Sequence, residues 1–246
     1  MALVPLRVRW TDPVGLASAD AAGVVRCDDG CEYVIKDDSK HAKTRHSEWF
    51  CSRLADAVGI AVPPFQIIEL PDGSIVFGSR WEGGVPSETW HQMIKNGALK
   101  FDDVKAVLAN VFVFDNFIHN VDRHAGNYII RPQRNGYALF APDYSRAWYY
   151  GGFPLAALPL PACNTVNASR WIVANFAPYV DVASTKDTLD KIESISASNA
   201  SDFIKSHPQD WLTQSEADAI VAWWSSPERQ NRIDGIRKGI KDGTYL

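Results

Sequence analysis

Nine residues, His119-Asn120-Val121-Asp122-Arg123-His124-Ala125-Gly126-Asn127, constrain this chain more than any other stretch. They form a polar cluster between a largely apolar run, Val111 to Ile118, and a short one, Tyr128 to Ile130. A polar segment between two buried runs reads as a loop at the edge of a core, where binding and catalytic groups concentrate. Asp122 and Asn127 stand five positions apart. That is the spacing of a phosphotransfer loop, in which the Asp takes the acceptor proton and the Asn holds Mg2+. Two other readings stay open at this point. The pair could be a turn or helix cap, with Asp122 in a salt bridge to Arg123, or His119, Asp122 and His124 could form a metal triad for hydrolysis.

The rest of the chain separates these readings. The phosphotransfer reading requires an upstream lysine on a strand, an acidic residue on the next helix and a downstream Asp after a strand. Residues 1–43 alternate as strands do, with Leu6 to Trp10, Gly23 to Cys27 and Glu32 to Lys36 as β runs. Asp28-Asp29-Gly30 supplies a hairpin turn between the last two, so Lys36 ends a strand. The spacing of Trp49, Phe50, Leu54 and Val58 predicts a helix from His46 to Val58, stopped by Gly59, with Glu48 in its first turns. Phe65 to Leu70 and Ser74 to Ser79 read as strands around Pro71-Asp72-Gly73.

Arg80 to Pro86 reads as a linker, and beyond it the composition turns helical: Ser87 to Asn96, then Phe101 to Phe117. After the central loop come strands Tyr128 to Arg131 and Tyr137 to Ala141 around Asn135-Gly136, with Asp143 directly after. Residues 150–168, rich in Pro, Gly and small residues, read as an irregular loop. Helices are expected at about 170–179, 185–196, 215–224 and 227–241, with Ser215 and Ser226 as caps. Trp223-Trp224 reads as packing between these helices.

This order gives an α+β, bilobal kinase-like architecture. A small β-rich lobe (1–82) with one packed helix precedes a larger, mainly helical lobe (83–246). Each site residue has a role in it. Lys36 binds the α and β phosphates of ATP and Glu48 holds Lys36. Asn127 and Asp143 hold Mg2+, and Asp122 acts as base. Ser79, Arg80 and Trp81 line the adenine hinge, where backbone groups meet the base, although a Trp such as Trp81 is more often core. His119 and His124 read as supports of the loop. A structural alternative exists for each residue, from strand-edge lysine to loop carboxylate, but all of them occur together in the required order.

Composition excludes other classes. The formal charge is −4, from 25 basic and 29 acidic residues, so no global field draws nucleic acid. No apolar run is long enough for a membrane span, and the N-terminus carries no secretory h-region. Four scattered cysteines read as reduced thiols, which points to the cytoplasm.

With these residues in hand, the chain resembles the HipA-like kinases, whose fold is similar to that of the phosphatidylinositol 3- and 4-kinases. Four stretches carry the likeness: Val25 to Lys36, Glu48 to Pro64, Phe77 to Trp81, and Asn120 to Asn127 with Asp143-Tyr144-Ser145. The resemblance spans roughly residues 12–150 and implies ATP- and Mg2+-dependent phosphorylation of a Ser or Thr on a protein. Several members are toxins of toxin–antitoxin pairs acting on aminoacyl-tRNA synthetases. The resemblance therefore also implies a translation factor as a possible acceptor and a separate antitoxin chain as a possible partner. The chain departs from typical kinases in its phosphate loop. Residues 14–23 lack Gly-x-Gly-x-x-Gly, and Ser18 is the residue expected to serve there, with Asp20 close to the phosphates. That departure keeps a pseudokinase open, and because fold does not fix substrate, a lipid or small-molecule kinase and an AMP-transferring enzyme stay open as well.

Overall fold

The structure is a computed structural model, and it describes residues 4–11, 21–82, 89–134 and 136–244. Ser18 and Asp20, expected at the phosphates, lie outside the described residues, as does most of the 80–86 linker.

Strands β1 (Leu6–Thr11), β2 (Gly23–Cys27), β3 (Glu32–Lys36), β4 (Phe65–Glu69) and β5 (Ile75–Arg80) surround a core of Val25, Cys27, Tyr33, Ile35, Ile68 and Val76. The sequence reading stopped at a small sheet. The strands instead close into a barrel ordered β1-β2-β3-β5-β4, because β1 returns to pair in parallel with β4. Closure removes the exposed edges that a five-stranded sheet would otherwise present. Gly78 is needed at the close approach of β5 and β4: a Cβ there would lie 2.1 Å from the Ile68 side chain.

Helix α1 (Thr44–Val58) connects the barrel to the rest. Trp49 packs with Ile67 and Phe77 of the barrel. Phe50, Leu54 and Val58 enter the main core, which continues through the C-terminal helices. Gly59 takes φ 85° and its N–H closes the last turn on Ala55 and Asp56, the left-handed helix stop that favours glycine. A helix wedged between two cores has little freedom to slide, and this fixes Glu48 in its second turn.

Helices α2 (Trp90–Lys95) and α3 (Phe101–Phe117) follow, then the hairpin β6 (Ile129–Gln133) and β7 (Gly136–Phe140). The tail differs from expectation in its boundaries. Helix α4 (Asn164–Asn175) begins inside the stretch read as loop and ends before residue 179. Helix α5 (Val182–Ser194) is capped by Asp181, and α6 (Ala197–Lys205) was not foreseen. Its seven small or polar residues hide its periodicity, but Ser196 and Asn199 form a capping box at its start. Helix α7 (Gln214–Trp224) is capped by Thr213 through a box with Glu216, not by Ser215. Helix α8 (Pro227–Lys241) has Ser226 at its N-cap position, but the Ser226 hydroxyl donates back to the Trp223 carbonyl and makes no cap bond. No helix among the described residues is long and apolar enough to cross a membrane.

Candidate functional site

A cleft of about 290 Å³ opens between the barrel and the central loop. Its walls include Lys36, Glu48, Ser79, Arg80, Trp81, Asn127 and Asp143, seven residues singled out from the sequence. They come from β3, α1, β5, the central loop and the segment after β7.

Lys36 is the meeting point. Its Nζ donates to Glu48 Oε1 at 2.6 Å and to Asp143 Oδ1 at 2.7 Å, closing a contact across 107 residues of sequence. Burial alone would strip the lysine of its proton, but Asp143 and Glu48 together outweigh it and hold the ammonium charged above its usual range. Burial also favours protonation of Asp143, yet Lys36 and Ser145 hold that carboxyl well below the ordinary range. Glu48 is pushed up to about 6, because its burial is only partly offset by Lys36. Glu48 Oε1 also accepts from the Tyr144 amide at 3.0 Å, so α1 grips the Asp143 segment directly. Asp143 has φ 72°, a left-handed conformation costly for a side chain with a Cβ, and such strain concentrates at functional sites.

Asn127 ends a short 3-10 turn, Ala125–Asn127, opened by His124, whose Nδ1 accepts from the Gly126 amide. The Asn127 Nδ2 donates to the Asp122 carbonyl at 2.9 Å. Its side-chain oxygen is therefore the atom left for a cation. With the ionised Asp143 carboxylate on the same cleft, this makes a hard oxygen donor set suited to Mg2+.

Asp122 is half-buried and outside the wall of this cleft. Its Oδ1 accepts from Asn164 Nδ2 at 2.5 Å, and its Oδ2 lies 3.4 Å from Arg146 Nη1. The sequence offered Arg123 as its ionic partner, and that is incorrect. Arg123 turns inward to Asp115 of α3, with Nε and Nη2 at 2.9 and 3.2 Å from its two oxygens. Its Nη1 donates to the Asn127 carbonyl at 2.9 Å and to the Pro142 carbonyl. Its backbone N–H donates to Thr165 Oγ1 of α4, which in turn donates to the Asn120 carbonyl.

The histidines do not form a metal site. His119 is buried with φ 57° and its Nδ1 lies 3.3 Å from Arg232 of α8. Burial and Arg232 lower its pKa to about 4. Among the described residues no group of three His, Cys, Asp or Glu could hold a metal ion, so the triad reading with Asp122 and His124 falls away. Arg232 also donates to the carbonyls of Asn116 and Phe117. This cation at the α3 C-terminus suits the helix dipole and ties the tail to the start of the loop.

At the hinge, Trp81 is 46% exposed and lines the cleft beside Ser79 and Arg80, not the core. The backbone N–H groups of Arg80 and Trp81 donate to the carbonyls of Pro64 and Glu32, both at 2.7 Å, so a base bound there must be met by other groups. Sequence reasoning missed Glu82, a buried carboxylate that takes Arg80 on Oε1 and Arg131 on Oε2. It missed Asp115 as well. The available signal was a charge inside the apolar run 111–118, which needs a partner once buried.

Residues 21–140 match the family model for HipA-like kinases. No curated protein sequence matches. Among solved structures, the chain is similar to the Helicobacter pylori proinflammatory kinase CtkA, at 14% identity over 96% of this chain and 98% of that one, with a TM-score of 0.63. HipA of Shewanella oneidensis MR-1, solved with HipB and operator DNA, matches at 14% identity over 84% of this chain and 60% of that one, with a TM-score of 0.44. The CtkA likeness shows a shared kinase-like fold. Residues 21–140, which hold the lysine strand, the glutamate helix and the central loop, are thus similar to the HipA-like kinases.

Proposed function

We propose that the chain is an ATP- and Mg2+-dependent kinase that transfers the γ-phosphate to a Ser or Thr of a protein. One observation carries the reading: Lys36, bonded at once to Glu48 and Asp143, faces the same cleft as Asn127 and the hinge. Mg2+, when bound, neutralises charge on the transferring phosphate. Asp143, kept ionised, and the Asn127 amide oxygen would hold it. Lys36 would bind phosphate oxygens, with Glu48 keeping it in place. Asp122 would orient the acceptor hydroxyl and take its proton, with Arg146 and Asn164 holding the carboxylate in place. Ser79, Arg80 and Trp81 would border the base, with the exposed Trp81 ring as a stacking surface.

On this reading the barrel side (1–82) and the helical side (83–246) act as two lobes around the nucleotide. The acceptor is then a protein, such as an aminoacyl-tRNA synthetase or another translation factor, as the resemblance to HipA-like kinases implies. The same resemblance implies a cytoplasmic setting and a separate antitoxin chain as partner, and the reading includes no direct contact to nucleic acid or membrane.

The test is incubation of the purified protein with γ- or α-labelled ATP and Mg2+, alone and with cell extract, beside Asp122→Ala and Asp143→Ala. Label from the γ position alone, reduced by on the order of 10²–10³-fold in both variants, is expected. Label from the α position would indicate AMP transfer instead. ATP binding with no transfer to any acceptor would indicate a pseudokinase.

A further inference from the structure

We propose that Arg123 is a positioning residue that sets the separation of the two cation ligands, Asn127 and Asp143, and with it the preference for Mg2+ over larger divalent cations. The proposal rests on the reading of these two residues as the cation pair. Its physical basis is one nitrogen. Arg123 Nη1 donates both to the carbonyl of Asn127 and to that of Pro142, whose peptide bond leads into Asp143. Two backbone oxygens that share a single donor are held within hydrogen-bond reach of one point, so the loops that carry the two ligands cannot drift apart.

That point is itself fixed. Nε and Nη2 lock onto both oxygens of Asp115, which is fully buried in α3. The Arg123 amide is held by Thr165 in α4. The Pro142 tether also orients the peptide plane ahead of Asp143 and so helps sustain its left-handed φ of 72°. A lysine carries a positive charge but has no planar fork. It could neutralise Asp115 and could not hold both carbonyls as well. Mg2+ demands near-ideal octahedral geometry at about 2.0–2.1 Å, whereas Ca2+ accepts about 2.3–2.6 Å and irregular coordination. Loosening the separation therefore penalises Mg2+ more than Ca2+.

The measurement is the affinity of the full chain for a fluorescent, non-hydrolysable ATP analogue in EDTA, in Mg2+ and in Ca2+. It is made for the native protein, Arg123→Lys and Asp143→Asn, with circular dichroism to establish folding. Arg123→Lys is expected to lose about tenfold of the enhancement given by Mg2+, in the range for residues that orient metal ligands. It should lose less than threefold of that given by Ca2+, with the affinity in EDTA unchanged. If Arg123→Lys does not fold, Thr165→Val, which frees the Arg123 amide, should show the same ordering at smaller size. Equal loss for both cations, no loss for either, or a parallel fall in EDTA would overturn the role of Arg123. Asp143→Asn should lose the enhancement by both cations. If it keeps them, the cation-pair reading itself fails, whatever Arg123 does.

Discussion

Two buried ion-pair networks lie side by side in this molecule and differ in one respect. Around Arg123 every partner is protein: a fully buried Asp115, two backbone carbonyls and the rings of Tyr128 and Tyr144 under the guanidinium. Around Lys36 the same kind of charge pairing is built from Glu48 and Asp143, but it opens to the cleft, where the Asp143 side chain is 24% exposed. In the first network the guanidinium directs four N–H groups to Asp115 and the two carbonyls, and it does not line the cleft of Lys36. The second holds charges that can be redirected, because the cleft reaches them. Buried polarity closed within protein serves architecture, and buried polarity facing a cavity serves chemistry.

The sharpest way to break this comparison is Arg123→Ala. It leaves Asp115 charged, buried and unpaired, and should lower unfolding free energy by about 3–5 kcal/mol, read as a shift in the urea midpoint at unchanged slope. A shift under about 1 kcal/mol would mean that the Arg123 network is not the structural one.

The second network should respond differently to the same insult. Lys36→Met should cost only about 1–2 kcal/mol at neutral pH, since Asp143 can be hydrated from the cleft and Glu48, already pushed up to about 6, can take a proton. The same variant should abolish nucleotide-dependent protection in thermal melts. A loss of stability as large as that of Arg123→Ala would erase the distinction.

The smallest expected effect sharpens the comparison with a third buried cluster, which titrates. His207 Nδ1 faces the Pro208 carbonyl, so it carries the proton there, and its Nε2 then accepts from His46 Nδ1 at 2.9 Å. Burial lowers both rings, His46 furthest, and His119 is lowered to about 4. Folded pKa values below the unfolded value near 6.5 mean that the unfolded chain binds more protons as pH falls. Stability present above about 6.5 is therefore lost on acidification. Glu48, raised from 4.5 to about 6, has the opposite sign: the cost of keeping it ionised in the folded state is relieved as pH falls from about 6 to 4.5, which opposes the histidines there. Urea midpoints from pH 7.5 to 5 should fall by a modest amount, and His46→Phe should flatten the profile. A rise toward pH 5 would contradict the neutral His46–His207 pair.

The sequence made the second network legible and concealed the first, for a physical reason. Lys36, Glu48, Asn127 and Asp143 each belong to an element with a clear local signal: a hairpin, a capped helix, a polar loop and a strand end. Only their joint order was needed to bring them together. Arg123 stands beside Asp122 in sequence, and adjacency suggested that they pair. Successive side chains in an irregular loop point in different directions, so Asp122 faces Asn164 and Arg146 while Arg123 faces Asp115 in the interior. Barrel closure was hidden too, since it depends on β1 reaching β4 across about 60 residues, which no local pattern encodes. Helices α4 and α6 were misjudged because Asn, Ser and Ala read as loop, and only α6 carries a capping box that marks its start.

The central claim is that the cleft of Lys36, Glu48, Asn127 and Asp143 binds a nucleotide through a divalent cation. Isothermal calorimetry with non-hydrolysable ATP, with and without Mg2+, on the native chain and on Asn127→Ala addresses it directly. The account predicts one site per chain, strengthened by Mg2+ in the native protein, with that strengthening lost in Asn127→Ala at unchanged melting temperature. Binding of equal strength in both proteins, with or without Mg2+, would contradict it.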